Sequence, residues 1–218
     1  MISIIIPCYN EEKNIYYLLK KIEKLKIKDS EVIVVDNKSE DRTSEVAKKF
    51  NVKVVFEKKV GKGNAIRKGV KESVGDILVF IDGDNSYSPE FIPSLINKIQ
   101  SGKADIVYGS RFLKESKTKI NFLRLIGNKF FSFLGFLFYQ KKTDFLTGLF
   151  AIKKEKIFEI NPKSRGFEIE TEIFSKAVKK NLKIEHIPIN YKNNKKSELN
   201  PFIDGFKIVF TLIKNKLC

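Results

Sequence analysis

The chain has 218 residues, 42% of them apolar and 31% charged along the whole length, which is enough to bury a core and excludes both a disordered chain and a polytopic membrane protein. Lysine and arginine number 42 against 26 acidic residues, a net charge of +16, so a polyanionic partner is expected: nucleic acid, an anionic membrane surface or a phosphorylated small molecule. Only positions 42, 67, 111, 124 and 165 are arginine, and a guanidinium grips phosphate bidentately where lysine offers a point charge.

The chain opens at once on a β-branched run, Ile2 to Ile6, with no basic leader ahead of it, so no signal peptide is expected. Asn14 to Leu25 then places Ile15, Leu18, Leu19, Ile22 and Leu25 on one stripe, the pattern of an amphipathic helix. Further strands are predicted at Glu31 to Val35, Val52 to Phe56, Asp76 to Ile81 and Ala104 to Tyr108, the βα rhythm of a mostly parallel sheet. Ser88-Pro89-Glu90 reads as a helix start, with a capping residue, proline in the first turn and an acid at the positive end of the dipole.

After about residue 112 this rhythm breaks. Asn121 to Tyr139 is rich in Phe and Leu but interrupted by Arg124, Asn128 and Lys129, and its unbroken apolar part is about half the length a bilayer span needs. Two readings stay open: a buried helix pair, or an amphipathic helix in the headgroup region flanked by Lys129, Lys141 and Lys142. A strand at Leu149 to Lys153, a helix at Glu168 to Lys180, a strand at Lys183 to Ile189 and a final amphipathic helix from Pro201 to Lys214 complete the prediction, with Tyr191 to Ser197 as a basic loop able to close over a phosphate. Cys8 and Cys218 lie far apart with no CxxC, against a zinc site or disulfide framework and in favour of a reducing cytosol. Cys8 reads as a small core residue, and His186, in a strand and without a partner motif, reads as structural.

Parallel sheets bind ligands at the carboxyl ends of their strands, and polar residues gather there. Asp82-Gly83-Asp84 follows a hydrophobic strand; two carboxylates around a glycine hold a hard cation such as Mg²⁺ or Mn²⁺, although Asp-Gly is also common in turns. The first strand ends in Pro7-Cys8-Tyr9-Asn10-Glu11, where Asn10 suits a helix cap and Tyr9 suits stacking on a flat ring. The second ends at Asp36-Asn37, with Asp36 placed to accept from a base or ribose, and both strand ends also suit ordinary helix-capping loops. Gly61-Lys62-Gly63-Asn64-Ala65 is a flexible basic turn opening a helix, suited to a diphosphate. Glu168 and Glu170 fall at a helix start, where the dipole favours acids, and a role near the acceptor stays open.

Taken in order, IIIPCYNEEKNI, VVDNKSEDRT, GKGNA, VFIDGDNSYSPE, IVYGSRF, TDFLTGLFAI, GFEIETEI and SELNPFIDGFKI resemble the family 2 glycosyltransferases, and within them the polyprenyl-phosphate enzymes similar to dolichyl-phosphate mannose synthase. The resemblance covers nearly the whole chain. It implies an α/β GT-A fold, a Rossmann-like, mostly parallel central sheet flanked by helices with amphipathic helices at the C-terminal end. It implies one domain over 1–218, with a nucleotide-sugar half at 1–112 and an acceptor and membrane-interface half at 113–218. The implied activity is metal-dependent, inverting transfer of mannose, glucose or N-acetylhexosamine from a GDP- or UDP-sugar to a polyprenyl (dolichyl) phosphate, at the cytoplasmic face of a membrane to which the protein binds peripherally.

The residues implied for catalysis are Asp82, Asp84, Arg111 and Asp144, with Mg²⁺ or Mn²⁺ on Asp82 and Asp84. Nucleotide-sugar contacts are expected from Pro7, Tyr9, Asn10, Glu11, Asp36, Lys62, Gly63, Gly83, Arg165 and Lys192. Three positions depart from the family pattern. Asn37 replaces the second of two paired acids, Ser86 stands where mannose synthases carry Gln, and Glu198 stands where relatives have a basic residue, leaving Lys192, Lys195 and Lys196 to supply that charge. Alternatives are a transferase acting on a non-lipid glycan acceptor and a non-catalytic nucleotide- or RNA-binding module; no RNA-binding signature appears, so no nucleic-acid partner is expected.

Overall fold

The computed structural model of the protein describes residues 1–119, 122–141, 143–192 and 201–217. The first half alternates as its hydrophobic pattern requires: β1 (Ile2–Cys8), α1 (Glu12–Lys24), β2 (Ser30–Asp36), the short α2 (Thr43–Ala47), β3 (Lys53–Phe56), α3 (Lys62–Glu72), β4 (Ile77–Phe80), α4 (Ile92–Gln100) and β5 (Ile106–Ser110). The second half adds β6 (Thr118–Lys119), α5 (Phe122–Tyr139), β7 (Phe150–Lys153), α6 (Lys154–Ile160), α7 (Ile169–Lys179), β8 (Ile184–Pro188), β9 (Tyr191–Lys192) and α8 (Pro201–Leu217). Seven strands join in the order β3-β2-β1-β4-β7-β5-β8, and β6 pairs with β9 in a small second sheet. The α/β sheet expected from the sequence is therefore present, and the two halves of the chain contribute to it together.

The strands alternate strictly between two cores. Ile4, Ile6, Val34, Val79 and Val107 face one side with Leu18 and Leu95, while Ile5, Val35, Leu78, Phe80 and Tyr108 face the other with Ile66 and Phe174. Both faces are covered by helices, which is why the central strands read as continuous apolar runs. One strand departs from the parallel expectation: β7 runs antiparallel to both β4 and β5. Phe150, Ala151 and Ile152 are all buried, and a strand buried on both faces carries no mark of its direction in its apolar pattern.

Several local expectations need correction. Ser88 does not cap with its side chain; the segment enters through a 3-10 turn, Pro89–Phe91, and α4 starts at Ile92. Asn10 does not cap α1 either, because the N-cap residue is Glu11. Asn10 sits at φ 55°, in the left-handed region that Asn tolerates, and its Oδ1 accepts the Glu40 N–H at 2.8 Å. Of the segment from Asn121 to Tyr139, Phe122–Tyr139 is one helix rather than a pair, and Asn121 lies outside the described residues. Of the basic loop expected from Tyr191 to Ser197, Tyr191 and Lys192 form β9, whereas 193–200, with Lys195, Lys196 and Glu198, lie outside the described residues, as do Lys142 and Cys218.

Phe80 and Phe150 face each other across the β4–β7 ladder with ring centroids 4.6 Å apart. Truncating the fully buried Phe80 to Ala is expected to cost about 3–5 kcal/mol, read as a lower urea midpoint at unchanged slope.

Candidate active site

The sheet order reverses between β1 and β4: β2 and β3 continue to one side of β1, and β4 begins the other. Ligands bind where strand order reverses, outside the carboxyl ends. The register decides which residues meet there. Cys8 pairs with Asp36, and the β1–β4 ladder, Ile5 opposite Phe80, carries on to bring Cys8 beside Gly83. A Cβ on Gly83 would lie 2.5 Å from Cys8 Sγ and 3.2 Å from Pro7 O, so the two strand ends approach too closely for any other residue. On the other side, the antiparallel pairing of Phe80 with Phe150 extends to put Gly148 opposite Asp82, and a Cβ there would strike the Asp82 carboxylate. The Gly148 N–H donates to Tyr87 Oη at 2.9 Å, holding the 143–148 loop beneath that acid.

Asp82, Asp84 and Glu11 thus converge with one cation among them. Lys62 Nζ lies 2.6 Å from Asp82 Oδ1 and 2.7 Å from Glu170 Oε1. Burial opposes the charged ammonium, but Asp82 and Glu170 outweigh it and raise the Lys62 pKa. Burial, and then the neighbouring Asp82, raise the Asp84 pKa, partly offset by Ser86, whose N–H donates to Asp84 Oδ1 at 2.9 Å. Glu11 is pushed up to about 7, first by burial, with Asp84 and Asp82 adding and the Asn14 amide opposing. Burial, followed by the same acids, also pushes the Cys8 thiol up, so Cys8 is an inert core thiol, in keeping with its sequence reading.

The basic turn is less flexible than its glycines suggest. Gly61, at φ 127°, and Gly63 both press on the Ser164–Arg165 backbone, where a Cβ would collide. That backbone is pinned in turn. Glu172 accepts from Lys163 N–H at 2.9 Å and Ser164 N–H at 2.7 Å, and Glu168 accepts from Arg165 and Gly166 N–H at 3.2 and 3.1 Å. Arg165 itself is exposed and lines, with Lys62, Lys163 and Lys207, a cleft of about 540 Å³.

Other expected site residues serve as architecture in this structure. Asp36 is buried, and its carboxylate accepts from Ser39 N–H at 2.8 Å and from the Ser44 hydroxyl. Asn37 donates from Nδ2 to the Glu57 and Lys59 carbonyls at 3.2 and 2.8 Å and accepts from Gly61 N–H at 2.7 Å. An aspartate could not make those two donations, which gives a physical reason for the departure from paired acids. Arg111 grips Asp144 through Nε at 3.0 Å and Nη2 at 2.6 Å, and Nη2 also reaches Leu146 O at 2.6 Å. The pair is almost wholly buried, with the guanidinium 5.4 Å from the Tyr191 ring centroid. Lys192 donates its backbone N–H to Ser86 O at 2.9 Å and keeps its side chain exposed. Tyr9 is half-buried at the β1 end.

Glu170 is the residue whose part here the helix-start reading did not foresee: it is buried and joined to Lys62 across 108 positions of sequence. Tyr87 is a second, sharing a ring contact with Tyr191 at 4.9 Å as well as its bond to Gly148. His186 lies beside Tyr108 with Nε2 buried, a structural place. Among the described residues no group of three or more His, Cys, Asp or Glu is arranged to hold a metal. The Asp82–Asp84 pair nevertheless fits a hard cation that takes its remaining ligands from phosphate and water.

Residues 3–160 match the profile described as Glycosyl transferase family 2. The chain is 36% identical over 202 residues to a dolichol-phosphate mannosyltransferase of Pyrococcus furiosus, a match spanning 87% of this chain and 56% of that protein. It is 27% identical over 214 residues to a dolichyl-phosphate hexose transferase of Haloferax volcanii, spanning 98% and 92%. Among solved structures, glucosyl-3-phosphoglycerate synthase of Mycobacterium tuberculosis with UDP superposes at a TM-score of 0.79 and 22% identity, covering 99% of this chain and 80% of that one. The same enzyme with Mn²⁺, UDP-glucose and glycerol 3-phosphate gives 0.77 at 23% identity, covering 99% and 79%. These likenesses show the GT-A fold.

A carboxyl whose folded pKa lies above its ordinary 4.5 weakens the fold once it must ionise. The Glu11 penalty is therefore absent below about pH 4.5, grows as pH rises towards the folded value of about 7, and is fully felt above it. Glu11→Gln is expected to be more stable than the parent at pH 8, by on the order of 1 kcal/mol after solvent screening, and to lose that advantage near pH 4.5, as read by denaturant titrations at the two pH values.

Proposed function

The chain belongs to glycosyltransferase family 2, and from that premise we propose that it transfers a sugar from a GDP- or UDP-sugar to a polyprenyl (dolichyl) phosphate at a membrane surface, with inversion. The single observation that carries this reading is the carboxylate pair Asp82 and Asp84, ending a central strand at the sheet's reversal point with a basic turn beside it. The names of the Pyrococcus and Haloferax relatives support the lipid phosphate as acceptor.

Asp82 and Asp84 are the residues to hold Mg²⁺ or Mn²⁺, and a divalent ion there supplies positive charge for the departing nucleoside diphosphate. Pro7, Tyr9, Asn10, Glu11, Asp36 and Gly83 form the nucleotide wall, with Asp36 and Asn37 fixing the loop that shapes it. Lys62 and Gly63, with Arg165 and Lys192 further out, face the diphosphate. Arg111 and Asp144 hold the 143–148 loop under the reaction centre. A lipid phosphate is already anionic, so the protein needs to position it beside the anomeric carbon more than to deprotonate it. In this reading residues 1–112 serve the donor and 113–218 the acceptor and the membrane.

Two helices support peripheral attachment to a membrane, which this reading takes to be at the cytoplasmic face. No helix among the described residues is long and apolar enough to cross a membrane. Helix α8 seats Ile208 and Leu212 in the core, and Tyr139 of α5 donates its hydroxyl to Leu212 O at 2.9 Å. The opposite faces expose Ile126, Phe130 and Phe133 on α5 and Phe206, Phe210 and Ile213 on α8, with Phe206 73% exposed. Lys129, Lys207, Lys214 and Lys216 are exposed on the same helices. Aromatic residues beside lysines suit an anionic headgroup layer.

A second reading is transfer to a non-lipid phosphorylated acceptor. The mycobacterial neighbours were solved with glycerol 3-phosphate or phosphoglyceric acid, and at their identity they speak for the fold alone.

The purified protein with Mn²⁺, a short polyprenyl phosphate and a panel of GDP- and UDP-sugars is expected to form one lipid-linked sugar, and Asp84→Ala to lose at least a hundredfold in rate. Product on phosphoglycerate but not on the lipid would favour the second reading. On vesicles, the protein is expected to float with phosphatidylglycerol-containing membranes at low salt, and Phe133→Asp/Phe206→Asp to stay behind at unchanged melting temperature; equal flotation of both proteins removes the interfacial role.

A further inference from the structure

Lysine at the first position of a helix is electrostatically misplaced, because the helix N-terminus already carries partial positive charge. Lys62 occupies that position in α3. It is also buried, with its side chain only 11% exposed and its ammonium 5.7 Å from the Phe167 ring centroid. A cation kept where both helix and burial oppose it needs strong compensation, and the compensation is Asp82 and Glu170 at 2.6 and 2.7 Å.

Those two acids are unlike. Asp82 Oδ1, which Lys62 contacts, belongs to the carboxylate pair that fits a hard cation, and the Asp82 side chain is 26% exposed. Glu170 is 7% exposed, belongs to α7 and lies outside the Asp82-Gly83-Asp84 pair. The backbone around Lys62 is clamped, since Gly61 and Gly63 both abut the Ser164–Arg165 chain. The four-carbon arm holds its ammonium on both acids at once, one inside the candidate metal pair and one outside it.

Resting on the reading of Asp82 and Asp84 as metal ligands, we propose that Lys62 is a built-in competitor for the divalent cation at Asp82, and that Glu170 is a positioning residue that retains the ammonium in the site when the metal takes Asp82. The retained ammonium stands next to the metal and adds its charge to the diphosphate side of the site. Competition sets a threshold: metal alone has to displace Lys62, whereas metal arriving with a diphosphate gives Lys62 a new anionic partner. Metal and nucleotide-sugar then bind with positive coupling, because each relieves a cost of the other.

The test reads Mn²⁺ binding directly, by titrating the metal alone and following free Mn²⁺ by electron paramagnetic resonance. Lys62→Met is expected to bind Mn²⁺ on the order of tenfold more tightly than the parent while slowing sugar transfer. Lys62→Gln, which keeps a polar tip for Glu170, is expected to do the same and serves if the first variant folds poorly by circular dichroism. Lys21 donates to Asn85 Oδ1 at 3.1 Å, one residue beyond Asp84; Lys21→Met controls for mere proximity of charge, and its affinity is expected to stay within about twofold of the parent. Glu170→Gln is expected to weaken Mn²⁺ binding severalfold, since the ammonium is then left to Asp82, and to have no further effect in the Lys62→Met background. Unchanged affinity in both Lys62 variants, or tightening no greater than in Lys21→Met, overturns the competition. An effect of Glu170→Gln that persists without Lys62 overturns the positioning role. Absence of Mn²⁺ binding by the parent, or full binding by Asp84→Ala, overturns the metal assignment and this inference with it.

Discussion

One ammonium serving two carboxylates, the buried Glu170 and the half-buried Asp82, is the interaction on which the site depends. Asp82 and Asp84 sit at the end of a strand whose both faces are covered, so water compensates them only in part. Their neighbour Glu11 is held partly protonated near neutral pH for the same reason. Lys62 sets a positive charge against Asp82, and Glu170 accepts from the same ammonium. The same acids that make the site costly make it attractive to a divalent ion.

Holding that arrangement requires backbone to come closer to backbone, and to side chains, than a Cβ allows. Gly83 lets β1 and β4 converge, Gly148 lets the loop before β7 pass under Asp82, and Gly61 and Gly63 let the basic turn rest on the Ser164–Arg165 chain. The approaches at Gly148, Gly61 and Gly63 are then locked by polar groups: Tyr87 on Gly148, Glu172 and Glu168 on the 163–166 loop, Asn37 on Gly61. Arg111 and Asp144 form the most buried lock, a bidentate pair with the guanidinium also on a backbone carbonyl. A buried pair of this kind adds little net stability but strongly disfavours other arrangements of the same loop. Precision at the strand ends thus comes from an outer ring of hydrogen bonds rather than from the acids themselves.

The surface formed by α5 and α8 follows a different rule. Helices α5 and α8 bury one side against the sheet-covering α7 and leave aromatic side chains outside, an arrangement unfavourable in water alone and favourable against headgroups flanked by lysine. The donor chemistry and the apolar face are joined through α7, which carries Glu170 at its start and packs against α8 along its length.

What the sequence by itself determined was the main strands, the longer amphipathic helices and the identity of the strand ends. Strand runs, amphipathic stripes and the Asp82-Gly83-Asp84 punctuation are local patterns, and local patterns follow from the periods of helix and strand. The family resemblance, resting on an ordered series of such patterns, pointed to the fold that the comparisons bear out. Only the tertiary structure decided the rest: the antiparallel direction of β7, which brings Gly148 to Asp82; the link from Lys62 to Glu170, 108 residues apart; and the use of Asn37 as a double donor. Glu170 looked in sequence like any acid at a helix start, and Arg111 like any phosphate-binding arginine. Which partner a charged side chain meets depends on how distant segments pack, and no local spacing encodes that distance.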